Sequence, residues 1–308
     1  MKLFFPVCYC LVLLLESIFA DEKDISPIAG PHRINYFMDT RLKGFRVVGG
    51  VKATRHQFPY QISLQYNGRH ICGGALINET RVITAAHCKI KKKGTYEVVA
   101  GIIKLKEKNE DVQRIRVKSF ITHPKFPFSN TVSTNDIGFL VLSEPVKLSN
   151  AVQLIGLPTY EQCESLEPVT ITGWGYVDSE KEEVSKRLRW AKLQRITNKE
   201  CASNLIRLTN TAQPLDSTMI CIVAALGKNN SACDGDSGGP LVLDNVIVGV
   251  VSWGLTPCGL KKAPTVAARV CSYEKFIARS SSSSRMFLYH IKSRFIFVTW
   301  VYLRKMQF

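Results

Sequence analysis

The chain has 308 residues, 45% of them hydrophobic and 21% charged, which excludes a disordered chain, a collagen-like repeat or a coiled coil as its main body. Its 41 Lys/Arg against 25 Asp/Glu give a formal charge of +16, but residues 277–308 carry six bases and no acid, leaving residues 47–276 with 29 bases against 20 acids. The bases there are not interleaved with aromatics in the pattern that stacks nucleotides, so nucleic acid is not an expected partner.

In chain order, Lys2 precedes an apolar stretch, Leu3 to Leu15, interrupted by Pro6 and closing on Ser17-Ile18-Phe19-Ala20. A charged start, a short apolar run and a small-residue end predict a signal peptide over residues 1–20, too short to span a bilayer, and hence a secreted, extracellular protein. Residues 21–46 are polar, contain Pro27 and Pro31, lack cysteine and end in Arg41, Lys43 and Arg46, as a pro-segment would. From Val47 onward the chain is a series of short apolar runs broken by turn residues. Gln61 to Gln65 alternates before Asn67-Gly68, Gln113 to Val117 alternates again, and Val246 to Val251 follows Asp244-Asn245. That texture predicts an all-β domain, and its length favours two packed β-barrels over one sandwich. Ser280 to Ser284 then interrupts it. In Arg285 to Phe308 the longest apolar stretch, Phe295 to Leu303, is far below the roughly 20 residues a membrane span requires. Residues 280–308 read as a poorly ordered or misassembled tail in preference to a basic membrane-surface segment.

Cys8 and Cys10 leave with the signal. Eight cysteines remain, an even number in an oxidising compartment, so disulfides are expected, with 105 possible pairings. No Cys-x-x-Cys or nearby His pair points to zinc, and neither a metal nor a cofactor is expected. Asn78-Glu79-Thr80 is a glycosylation acceptor pattern in a turn-like setting; Asn229-Asn230-Ser231 matches the pattern in a crowded region.

Three segments carry chemistry: Thr84-Ala85-Ala86-His87-Cys88, Asn135-Asp136-Ile137-Gly138-Phe139-Leu140, and Gly235-Asp236-Ser237-Gly238-Gly239-Pro240. Taken singly, the His is structural, the Asp a turn residue and the Gly-rich hexapeptide a loop. Together they place His, Asp and Ser in the chain order of one type of catalytic triad. Glycines around a serine also permit the close backbone approach that a nucleophile beside an oxyanion hole needs.

On these motifs the chain resembles the chymotrypsin (trypsin-like) serine protease family over about residues 46–279, with further landmarks in Arg46-Val47-Val48-Gly49-Gly50, Gly173-Trp174-Gly175 and Ser252-Trp253-Gly254. The resemblance implies two packed six-stranded antiparallel β-barrels with a short C-terminal helix, which Ser272 to Arg279 would start with Phe276 and Ile277 inward, together forming a protease domain over residues 47–279. His87 and Asp136 would come from the first barrel and Ser237 from the second. Ser237 would attack, His87 would take its proton, Asp136 would hold the imidazole, and the Gly235 and Ser237 amides would bind the oxyanion. Cleavage after Arg46 would free the Val47 amine to pair with Asp236. Ser252, Trp253 and Gly254 would bind substrate backbone.

Ser231 takes the pocket-floor position where trypsin-like members carry Asp, so Lys and Arg are disfavoured in the pocket. The resemblance makes Gly254 and Thr265 the wall positions: Gly254 keeps the entrance open, Thr265 intrudes where Gly is usual, and Ala267 replaces the usual Tyr behind the pocket. Aromatic or large aliphatic residues before the scissile bond are expected, with elastase-like specificity as the alternative. The implied bridges are Cys72–Cys88, Cys163–Cys271, Cys201–Cys221 and Cys233–Cys258. The family's calcium loop does not carry over, since its first and last acidic positions are Ile102 and Val112. Lys89 and Lys91 to Lys93 either form a solvated loop or favour acidic residues on the leaving side of the substrate. Asp234, beside the pocket rim, would either repel acidic substrates or have no effect on them. Expected partners are protein or peptide substrates, a trypsin-like activating protease and protein protease inhibitors; a membrane is not expected. A non-catalytic homologue acting as a binding protein is the rival from another class.

Overall fold

The computed structural model describes residues 50–128, 134–176 and 185–280. The predicted signal and pro-segment, Arg46, Val47 and the tail beyond Ser280 lie outside them. The first barrel comprises β2 (Gln61–Tyr66), β3 (Arg69–Asn78), β4 (Arg81–Thr84), β5 (Tyr96–Ala100), β6 (Gln113–Thr122) and β7 (Gly138–Leu142), closed in the order β2-β3-β4-β7-β6-β5. The second comprises β8 (Val169–Gly173), β9 (Arg189–Ile196), β10 (Met219–Ala224), β11 (Pro240–Leu243), β12 (Val246–Gly254) and β13 (Thr265–Arg269). Its order is β9-β10-β13-β12-β11-β8, closed by pairing of β8 with β9, and β1 (Val51–Lys52) adds to β9. All the pairings are antiparallel. The two-barrel expectation is therefore met.

The turn signals act as their chemistry requires. Asn67 and Gly68 between β2 and β3 both have positive φ, as do Asp244 and Asn245 between β11 and β12, the backbone that lets a two-residue hairpin follow strand twist. Strand β2 shows how the barrels meet. Its alternate residues Ile62 and Leu64 fill the first core, yet Gln61, Ser63 and Gln65 are also buried. Gln61 Oε1 accepts a 2.5 Å hydrogen bond from Thr172 Oγ1 of the second barrel, so the polar face is satisfied by protein.

Three helices complete the described part: α1 (Tyr160–Glu164), α2 (Asn198–Thr209) and α3 (Glu274–Ser280). A capping box of Thr159 and Gln162 starts α1, Thr197 caps α2, and left-handed Asn210 ends it. A 3-10 turn, Val270–Tyr273, leads into α3. Val270, Tyr273 and Ile277 join a core cluster built largely from the first barrel, and the Phe276 ring lies 5.0 Å from that of Phe139. The C-terminal helix expected from Ser272 to Arg279 is present, and it binds the second barrel to the first.

Four disulfides form: Cys72–Cys88, Cys163–Cys271, Cys201–Cys221 and Cys233–Cys258. These are the pairs the resemblance implied. In the 101–112 loop, Ile102 is buried and packs with Ala53, Val99, Trp174 and Leu188, against which Val112 also lies. Arg55 bridges Glu107 and Asp111 there, and His56 Nε2 lies 3.2 Å from Asp111. A guanidinium thus provides the positive charge for this loop's two inward carboxylates.

Candidate active site

Strand β4 ends at Thr84, and the 3-10 turn Ala86–Cys88 that follows carries His87. Asp136 precedes β7, the neighbour of β4 in the barrel, so residues 49 apart in sequence are adjacent in space. Asp136 is 2% exposed and accepts three hydrogen bonds. His87 Nδ1 lies 2.6 Å from Oδ2, the His87 backbone N–H donates to Oδ1 at 2.9 Å, and Ser252 Oγ donates to Oδ2 at 2.5 Å. A carboxylate only accepts, so Nδ1 carries the proton and Nε2 keeps a lone pair free to act as a base. Burial pushes the His87 pKa down, but the Asp136 charge and hydrogen bond, with the Asp234 charge beyond, together raise it above its ordinary value.

The second barrel brings Ser237 to this pair through glycines. Gly73 N–H of β3 donates to the Ser237 carbonyl at 2.8 Å. A Cβ on Gly238 would meet Thr84 Oγ1 at 2.2 Å and the Gly73 carbonyl at 2.7 Å. Ser237 is therefore held against the end of β4, next to the turn that carries His87. Among the described residues no hydrogen bond joins Ser237 Oγ to His87 Nε2, and such bonds often tighten only when substrate is present.

The backbone around Ser237 is unevenly satisfied. The amides of Asp236, Gly238 and Gly239 donate to the carbonyls of Cys233, Val251 and Asp236. Among the described residues the amides of Gly235 and Ser237 have no partner, and Gly235 sits at φ 88°. Two free, neighbouring N–H groups beside a serine can bind a developing oxyanion. His70 supports this loop: its Nε2 lies 3.1 Å from the Gly235 carbonyl and its Nδ1 2.8 Å from Ser63 Oγ. Because a carbonyl only accepts, Nε2 is the protonated nitrogen. Burial lowers the His70 pKa to about 4, the Gly235 carbonyl partly offsetting it, so the ring is neutral.

Asp236 is fully buried. Its carboxyl accepts from the Gly175 and Cys233 amides at 2.9 and 3.0 Å and occupies the space where a Gly173 Cβ would stand, 2.0 Å away. Burial, only partly countered by those two amides, pushes its pKa well above the carboxylate range, and the Asp234 charge adds to the rise. Such a group calls for a proton or a cation. Its expected partner Val47 lies outside the described residues, although Arg189 Nη1 bonds the Gly50 carbonyl and seats the chain three residues downstream on the second barrel.

The expected pocket residues also come together. Gly254 and Thr265 face each other in the β12–β13 ladder, Trp253 is fully buried, and Ser231 is buried with Oγ accepting from the Gly259 amide at 2.9 Å. Cys233–Cys258 joins the two loops that hold Ser231 and the end of β12. The Ser252 side chain is turned to Asp136, which leaves its backbone as the part able to meet a substrate. His70 was missed by sequence reading, because a lone His in a strand gives no signal until Gly235 is folded against it. The Cys72 and Cys88 sulfurs lie within 4.8 Å of each other and of a His87 ring nitrogen, but they are bonded to one another and offer no thiolate to a metal.

The trypsin family model matches residues 47–277. Trypsin alpha of Drosophila melanogaster is 32% identical over 77% of this chain and 88% of its own length. Kallikrein-2 of Homo sapiens is 33% identical over 75% of this chain and 88% of its own. Among solved structures, neuropsin, a serine protease expressed in the limbic system of mouse brain, superposes with a TM-score of 0.68 at 30% identity, covering 76% of this chain and 99% of that one.

Proposed function

Because the chain belongs to the trypsin family of serine endopeptidases, we propose that His87, Asp136 and Ser237 are its catalytic triad and that it is a secreted zymogen activated by cleavage after Arg46. Ser237 Oγ attacks the scissile carbonyl as its proton passes to His87 Nε2, and the oxyanion forms against the Gly235 and Ser237 amides. His87 then protonates the leaving amine, and water repeats the sequence on the acyl-enzyme. The observation that carries this reading is the buried Asp136 with its three donors, set beside the Gly235 and Ser237 amides, which have no partner among the described residues. Substrates are proteins or peptides.

The buried, cation-seeking Asp236 supports activation by a new N-terminus. The freed Val47 ammonium would neutralise it, and a trypsin-like protease would make the cut, since the enzyme's own pocket floor is the neutral Ser231 hydroxyl. Protein protease inhibitors would be further partners. That floor, and Gly254 at the entrance, support cleavage after aromatic or large aliphatic residues. The buried Thr265 opposite Gly254 supports the elastase-like alternative of medium aliphatics.

The test is to cleave purified zymogen with trypsin and assay peptides differing only at the residue before the scissile bond. Hydrolysis after Phe, Tyr or Leu, blocked by a serine-directed phosphonate that labels Ser237, is expected. No hydrolysis and no labelling, with a confirmed Val47 N-terminus, would leave a binding homologue instead.

A further inference from the structure

We propose that a cationic ridge on the first barrel reads the leaving half of the substrate, so that the enzyme prefers sequences with Asp or Glu shortly after the scissile bond; the inference rests on the triad reading above. His87 has two unlike flanks. On one, Ser252 of β12 bonds to Asp136, and β12 runs on as the edge that pairs with the acyl half. On the other stands the Cys72–Cys88 bridge, its sulfurs within 4.8 Å of a His87 ring nitrogen. A substrate whose acyl half lies along β12 would leave over that bridge.

Both segments joined by the bridge carry cations. Arg69 lies three residues before Cys72, and Lys89, Lys91, Lys92 and Lys93 follow Cys88, all exposed. The lysine loop is anchored to the barrel. Tyr66 OH donates to the Lys92 carbonyl at 3.0 Å, Tyr96 OH donates to the Ile90 carbonyl at 3.2 Å and accepts from the Ile90 amide at 2.5 Å, and the two rings lie 5.0 Å apart. Lys89 Nζ donates to the Phe120 carbonyl at 3.0 Å, and Lys91 Nζ stands 5.7 Å from the Phe128 ring centroid. Among the described residues no ion pair engages Arg69 or any of the four lysines.

The surrounding field has the same sign. Residues 50–152 hold 16 Lys/Arg against seven Asp/Glu, and Glu107, Asp111 and Asp136 of those seven are taken by Arg55, His56 and His87. Exposed cations on an anchored loop beside that path, without an ion pair among the described residues, favour anionic leaving segments and repel basic ones. A peptide is preferred to a sulfated polysaccharide as occupant because the ridge begins two residues from His87, where the leaving segment must pass.

The experiment uses activated enzyme and two peptides with one acyl half and one first leaving residue, followed by Asp-Asp or Lys-Lys. The acidic peptide should have a kcat/KM about tenfold higher at low ionic strength, the ratio shrinking as salt is added. The K91A/K92A/K93A variant should lose the ratio while hydrolysing a short chromogenic ester, which has no leaving peptide, at the parent rate. Equal rates on the two peptides, or a ratio that survives in the variant, would overturn the proposal. So would lysine-dependent binding of a sulfated polysaccharide with no peptide preference. Failure to hydrolyse the short ester would instead sink the triad reading.

Discussion

At Asp136 one side chain carries three donors and sets the protonation of its neighbour. Asp136→Asn would offer an amide N–H where His87 Nδ1 needs an acceptor and favour the wrong tautomer. Activity should fall by about 10⁴-fold, as in the template triad. Losing the charge also removes what holds the His87 pKa up, so the acid limb of kcat/KM against pH should move to lower pH in the residual activity. A stopped assay from pH 5 to 9 measures both.

His70 gives an opposite pH signature. In the fold it titrates at about 4 and in a free chain near 6.5, so the unfolded state takes up its proton first as pH falls. Its contribution to stability is full above pH 6.5 and is lost between 6.5 and 4, by at most about 3 kcal/mol. The urea midpoint should fall across that window, and His70→Gln should flatten this component. The residues of the proposed triad, His87, Asp136 and Ser237, were read from sequence motifs, because such a reaction fixes the side chains it uses. Ser252 as a donor to Asp136 and His70 as a brace for Gly235 were not, since each contact joins a strand to a loop far away in the chain. Gly173 was a landmark without a reason until Asp236 was seen in the space its side chain would fill.

Among the elements, α3 shows how a short helix is kept. Its seven residues are too few to be stable alone, and its place depends on Ile277 and Phe276 against the first barrel. Ile277→Ala removes a side chain 5% exposed in that cluster and should cost about 2–5 kcal/mol, read as a lower thermal midpoint. Ile277 and Phe276 were legible as inward residues, because the family resemblance implies a closing helix there. Burial of both faces of β2 was not, since alternation gives a strand's period and not what covers its polar side.

In the whole molecule, the candidate site lies where the barrels touch, and beside Ser237 they touch through glycines. Gly238→Ala would bring a Cβ to 2.2 Å from Thr84 Oγ1 at a residue with φ 75°. The expected outcome is separation of Ser237 from His87. The kcat should fall by at least about 100-fold, as for a 1 Å misplacement of a reacting group, while far-ultraviolet circular dichroism shows both barrels intact. Unchanged kcat would refute the contact. Two barrels were legible as an expectation from turn spacing and resemblance. Their seam was not, because beside Ser237 it is glycine backbone and elsewhere it joins single side chains far apart in the chain, such as Gln61 and Thr172.

The four bridges also have a geography. Cys72–Cys88 lies within the first barrel, and the other three lie among residues 163–271. Among the described residues no bridge spans the two, so the chain between β7 and α1 is their covalent link. A single cut there would turn an intramolecular active site into a bimolecular one. One fragment would carry the base and its carboxylate, the other the nucleophile and the oxyanion amides. Activity would then depend on fragment concentration, following the association of two halves held by the Gly73–Ser237 seam and the docked C-terminal helix.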